Sequence, residues 1–200
     1  MKNSSIRQAA ASARSALGED FVSCFYDRVE NVLGVEVVVV PLSKDGYSLT
    51  LGGREVIVLA ATERWFRSNF TLAHELGHLL VKDVSSCDGQ AVENMANAFA
   101  ADLLMPVERV CSIDWLRAKA VTVARVCWEL GVSTRALEVR LKYLGVTPSD
   151  EARSALAGSA EASLPASVPR TARVSRVPPR GRAAGRCVRA CAVLRSSSVS

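Results

Sequence analysis

The only two histidines among these 200 residues stand four positions apart, in His74-Glu75-Leu76-Gly77-His78. On a helix, positions i and i+4 share one face a turn apart, so both imidazoles can reach a single metal ion. The glutamate after the first histidine can then serve as general base toward a water activated at that metal. The flanking Thr71-Leu72-Ala73 and Leu79-Leu80-Val81 are uncharged and mostly apolar, as a helix threading a core must be. Two core histidines at helical spacing would not explain Glu75 beside His74, nor the absence of histidine elsewhere.

A catalytic zinc takes three protein ligands and keeps one position open. With no third histidine, the third ligand must be a carboxylate or a thiolate, and peptidases that use a third histidine six residues further on are excluded. Downstream candidates are Asp83, Cys87, Asp88, Glu93, Asp102 and Cys111. Asp83 is too near in sequence to fold back unless the helix breaks at once. Cys87 and Asp88 lie in Ser85-Ser86-Cys87-Asp88-Gly89, which reads as the loop closing the first helix. Glu93 opens a helical stretch on which Ala96, Asn97, Ala100 and Leu104 share its face. The alanines permit close approach to the metal helix, and Asn97 can hydrogen-bond a metal ligand from behind. Glu93 is therefore the preferred third ligand. The expected chemistry is peptide hydrolysis with Zn²⁺ on His74, His78 and Glu93, and with Glu75 carrying the proton. Tyr47, Tyr143, Arg67 and Arg140 are candidates to stabilise the oxyanion.

The elements that must position these residues are legible in outline. An apolar stripe of Phe21, Cys24, Phe25, Val29, Val32 and Leu33 predicts a helix over 19–33, stopped by Gly34. Residues 35–42 are β-branched and read as a strand. Tyr47–Leu51, Gly52-Gly53 and Arg54–Ala60 read as a hairpin, since paired glycines suit a two-residue turn. The metal helix is expected over 68–81 with Ser68 as its N-cap, and the next over 93–105, with Pro106 opening another. Gly77 costs about 1 kcal/mol inside a helix, which fits close approach of a neighbour or of substrate. The fold class is α+β: a small sheet beside a helical body.

Residues 123–145 have the cadence of a helix-turn-helix, broken at Gly131 and capped by Ser133. Arg135, Arg140 and Lys142 could then face DNA, which makes a DNA-binding regulator the rival reading. Against it, Val132, Leu137, Leu141 and Leu144 form an equally good buried stripe. A pseudo-enzyme that only binds a partner is a third reading.

The net charge of +5 is unevenly placed. Residues 151–200 hold nine arginines and two glutamates, while the first 150 carry sixteen basic and eighteen acidic residues. The segment 147–200 is rich in Ala, Arg, Ser and Pro and is expected to be a disordered basic tail, able to touch nucleic acid weakly and nonspecifically. Residues 1–146 are expected to form the catalytic domain, with the helical pair at about 121–145 packed on it. The N-terminus lacks the apolar run of a signal peptide, no stretch is long enough to span a membrane, and the six cysteines show no framework spacing. The expectation is a cytoplasmic protein with reduced thiols and no membrane contact.

The segments RSNFTLAHELGHLL and ENMANAFAADLLMP together resemble the ImmA/IrrE family of metallo-endopeptidases over roughly residues 30–146. That family pairs an FTLAHELGH-like segment with an E-x-E-A-N-x-F-A-A-x-L-L-M-P-like helix. Glu93, Asn97, Phe99, Ala100, Ala101, Leu103, Leu104, Met105 and Pro106 match the second motif. Asn69 stands where a basic residue is frequent, and Met95 replaces the second acid, which puts substrate contact or fine tuning in question. The resemblance implies a zinc peptidase whose partner is a protein substrate, an Xre-type helix-turn-helix repressor cut at one site. It also implies a helical pair after the LLMP segment.

Overall fold

The computed structural model describes residues 2–81 and 88–158. It opens with a helix, α1 (Lys2–Leu17), that the sequence reading did not assign. Its buried row is Ile6, Ala10, Ala13 and Leu17, and it packs against α4 (Gly89–Leu104). Small alanines make a weak hydrophobic signal, but they let the two helix axes come close. Arg14 secures the contact by donating to the Leu103 carbonyl at 2.8 Å.

The helix expected over 19–33 is instead three successive turns of different pitch. A 3-10 turn covers Phe21–Cys24, α2 covers Phe25–Arg28, and a π turn covers Val29–Leu33. Gly34, at φ 69°, and Val35 both donate to the Val29 carbonyl, which widens the last turn. Phe21, Phe25 and Val29 are buried as anticipated, whereas Val32 is exposed.

The sheet has the order β1-β3-β2, from β1 (Glu36–Val40), β2 (Gly46–Leu51) and β3 (Arg54–Ala60). The hairpin is as expected: β2 and β3 pair antiparallel around Gly52 and Gly53, both at positive φ. β1 runs parallel to β3, Val38 opposite Val58. Central β3 sends Ile57 and Leu59 into the main core and Val56 and Val58 into a smaller cluster with Val38 on the other face.

Helix α3 (Trp65–Leu80) starts earlier than its sequence signal. Ser68 is therefore not its N-cap but lies inside it, sharing a hydrogen bond with the Tyr26 hydroxyl. α3 packs on α4 and on β2 and β3. Asp88 caps α4 by accepting from the Ala91 N–H at 2.7 Å. Pro106 precedes the short α5 (Val107–Cys111).

The predicted helical pair is present as α6 (Ala120–Leu130) and α7 (Thr134–Tyr143), with Gly131 at φ 63° and Ser133 capping α7. Val132, Leu137 and Leu141 are buried. One expectation needs correction here. Residues 150–157, placed in the tail, form a further helix, α8 (Asp150–Ala157), which packs on α6 and α7 through Ala152 and Leu156. Two apolar residues four apart suffice to bury one face, although the surrounding composition resembles that of the tail. The tail beyond Gly158 lies outside the described residues. Among the described residues, no helix is long and apolar enough to cross a membrane.

Candidate metal centre

α3 carries His74, Glu75 and His78, and α4 lies alongside it and carries Glu93 and Asn97. Gly77 explains how near the two helices come. A Cβ there would sit 3.0 Å from the Ala96 Cα and 3.2 Å from both the Ala96 carbonyl oxygen and the Phe99 Cβ. Of the two readings of Gly77, it is therefore the neighbouring helix that the missing side chain admits. Ala96, itself fully buried, completes the contact from α4.

This approach brings three donors together. The His74 Nε2 is 3.2 Å from the Glu93 Oε2, the His78 Nε2 is 3.5 Å from the Glu93 Oε1, and the two Nε2 atoms are 3.1 Å apart. All three donor groups fall within 4.8 Å of one another. Asn97 Oδ1 accepts from the His74 Nδ1 at 3.0 Å, which places the ring proton on Nδ1 and leaves the Nε2 lone pair facing Glu93. Either a proton shared among these atoms or a cation between them satisfies the cluster, and a cation would engage all three groups at once. The donor set fits a divalent ion of the borderline type.

The other ligand candidates are placed elsewhere. Asp83 and Cys87 lie outside the described residues. Asp88 is engaged as a helix cap. Asp102 pairs with Arg140, and Cys111 is exposed on α5. The thiol of Cys127 is buried in the core and pushed up to about 12 by that burial, so it is no thiolate donor.

Glu75 is buried and lines a cavity of about 710 Å³ together with His74, His78, Glu93 and Asn97. The opposite wall is the start of β2: Gly46, Tyr47 and Ser48. Among the described residues, β2 is an edge strand that pairs with β3 alone. Gly46 fits tightly there, since a Cβ would lie 3.0 Å from the Thr71 Cγ2 of α3. This wall was not foreseen from sequence, and a glycine opening an edge strand was its only signal. Of the four candidate oxyanion donors, Tyr47 alone lines the cavity. Arg67 is paired to Asp45 at 2.6 Å. Arg140 is buried, 2.5 Å from Asp102 and 3.0 Å from the Met105 carbonyl, so it cannot reach DNA as the rival reading required.

Both departures from the family pattern fall on packing positions. Asn69 is fully buried and donates to the Gly131 carbonyl at 3.2 Å, tying α3 to the α6–α7 turn. Its Oδ1 finds no partner among the described residues. Met95 points into the core.

Two histidines one turn apart, a carboxylate from a second helix and a buried glutamate beside the first histidine make the arrangement of a metallopeptidase domain. Residues 30–142 match the family model described as the IrrE N-terminal-like domain, a peptidase family, and the chain belongs to it. The match covers β1 to β3 and α3 to α6, and it ends just inside the C-terminus of α7. No curated protein matches the chain.

Proposed function

We propose that this chain is a zinc-dependent endopeptidase of the cytoplasm that cuts one peptide bond in a specific protein, an Xre-type helix-turn-helix repressor. The observation that carries the enzymatic reading is the convergence of His74, His78 and Glu93 beside buried Glu75, on the wall of a cavity that a chain can enter. A two-histidine, one-glutamate set is a common catalytic zinc set and leaves a coordination position open. The chemistry such an ion supplies when bound is Lewis acidity, toward water and toward the scissile carbonyl.

The residues of the chain do the rest. Substrate backbone lies along the outer edge of β2, whose N–H and C=O groups pair with no other strand among the described residues and offer strand pairing beside Glu75. Glu75 takes the proton of the attacking water and returns it to the leaving amine. Asn97 holds the His74 ring in one tautomer. Tyr47, a residue 40% exposed that lines the same cavity, donates its hydroxyl to the developing oxyanion. The repressor as substrate is supported by the family resemblance.

The test is Glu75→Gln. It is expected to keep metal and fold while lowering cleavage about 10²–10⁴-fold, because an amide takes no proton at neutral pH. Co-expression with a short helix-turn-helix protein encoded beside this gene, followed by mass spectrometry, reads the substrate. A discrete fragment with wild type and none with the variant supports the proposal. Equal relief of repression by both proteins shows a binding protein without catalysis, and degradation of casein with the neighbour left intact shows a general peptidase.

A further inference from the structure

The helix-turn-helix cadence of α6 and α7 has no part in the metal chemistry, yet α7 forms one wall of a large groove. That groove, of about 1130 Å³, lies between α3, α4 and α7, with Arg7 of α1 at its rim. It exceeds the size of clefts for small molecules, about 300–1,000 Å³. Its floor is apolar, with Phe66, Phe70, Ala98, Ala101 and Met105. On α7, Val139 and Tyr143 stand one turn apart along it and are 53% and 65% exposed. Phe70 and Asn97 line both this groove and the cavity of the metal centre, so the two adjoin.

Resting on the peptidase reading above, we propose that this groove docks a segment of the substrate protein bearing apolar side chains flanked by carboxylates, with α7 as a protein-binding rather than a DNA-binding helix. The sign of the charge comes from the lining. Five arginines line the groove against one acid, Asp102. Arg140 is neutralised by Asp102, Arg67 by Asp45 and Arg135 by Glu138. Arg7 and Arg64 have no ion pair among the described residues and remain to meet acidic groups.

The chain's own C-terminal segment is the competing occupant. The Gly158 carbonyl accepts from Thr134 Oγ1 at 2.7 Å, and Thr134 lines the groove, so the last described residue lies beside it. Residues 159–200 hold eight arginines and one glutamate, however, the same sign as the rim. Like charges oppose that occupant. A duplex is disfavoured by the apolar pair on α7 and by the inward turn of Arg140.

The experiment is fluorescence anisotropy on full-length Glu75→Gln protein with two labelled twelve-residue peptides, one of alternating Leu and Glu and one of alternating Leu and Lys. The acidic peptide is expected to bind at least ten-fold more tightly than the basic one. Arg7→Glu with Arg64→Glu should reverse that preference, and Val139→Asp should weaken the acidic peptide ten-fold or more. These side chains are exposed, and unchanged thermal melts confirm the fold of each variant. Equal binding of the two peptides, or unaltered binding in both variants, overturns the proposal. A ten-fold tightening on truncation after Gly158 also overturns it, by showing the tail in the groove. Anisotropy does not depend on turnover. Failure of the peptides to bind as stated, while the protein with Glu75 in place holds metal and cleaves the repressor, therefore removes the docking site alone, and the converse result removes the peptidase reading alone.

Discussion

The His74 Nδ1 lies 3.0 Å from the Asn97 Oδ1, a contact between neighbouring helices that turns the opposite ring nitrogen toward Glu93. Asn97 stands one turn after Glu93 on α4, so one helix face supplies both a candidate ligand and the group that orients the His74 ring.

Metal content is set by this geometry. Purified protein is expected to hold about one equivalent of zinc by elemental analysis. His74→Ala, His78→Ala and Glu93→Ala should each lose most of it, and Asn97→Ala should weaken affinity about 10–100-fold. Undiminished zinc in Glu93→Ala would move the third ligand to a residue outside the described segments, such as Cys87.

Gly77→Ala tests the approach of the two helices. Alanine gains about 1 kcal/mol in helix propensity. Its Cβ, however, would press on the Ala96 backbone at 3.0 Å, and overpacking of this kind costs about 1–3 kcal/mol. Backbone cannot step aside as a side-chain tip can, so the expected outcome is a lower melting temperature together with weaker zinc binding. A rise in both would show that the helices have slack.

Truncation separates α8 from the residues C-terminal to it. Removal of residues 159–200 is expected to leave the melting temperature unchanged and to weaken salt-sensitive DNA binding, since eight arginines and one glutamate are lost. Ending the chain at Pro148 instead removes Ala152 and Leu156 from the core. The loss of one buried leucine alone costs about 2–5 kcal/mol. Equal melting of the two truncated forms would show that α8 contributes nothing.

A pH-dependent contribution comes from Glu129, which accepts from Arg109 at 2.6 Å and from Arg125 at 2.7 Å. Burial pushes its carboxyl up, but the hydrogen bonds and charges of the two arginines outweigh that and hold it below the usual range. A lowered folded value means stability that is present above the unfolded carboxylate value of about 4.3 and is lost as pH falls through the folded one. Glu129→Gln should therefore lower stability at pH 7, by under about 1 kcal/mol for so exposed a pair, with the deficit closing in acid. A deficit that grows in acid contradicts the assignment.

The sequence by itself picked out His74, His78 and Glu93 as a candidate metal set, Glu75 beside it, and in outline the two helices that bring them together. Each is a local pattern: imidazoles at i and i+4, a glutamate and asparagine one turn apart, glycines at a hairpin. Local spacing fixes which side chains share a face, whatever the rest of the chain does. Tertiary structure decided what spacing cannot state. Gly77 could have faced solvent, substrate or a helix, and only the position of Ala96 selects the helix. Arg140 reads as a surface cation on α7 until Asp102, 38 residues earlier, is found against it. α1 and α8 bury alanine-rich faces whose signal is too weak to read alone, because their stabilisation lies in close packing against partners distant in sequence. The groove along α7 exists only once three helices have met. A concave surface belongs to no single segment, so no segment could announce it.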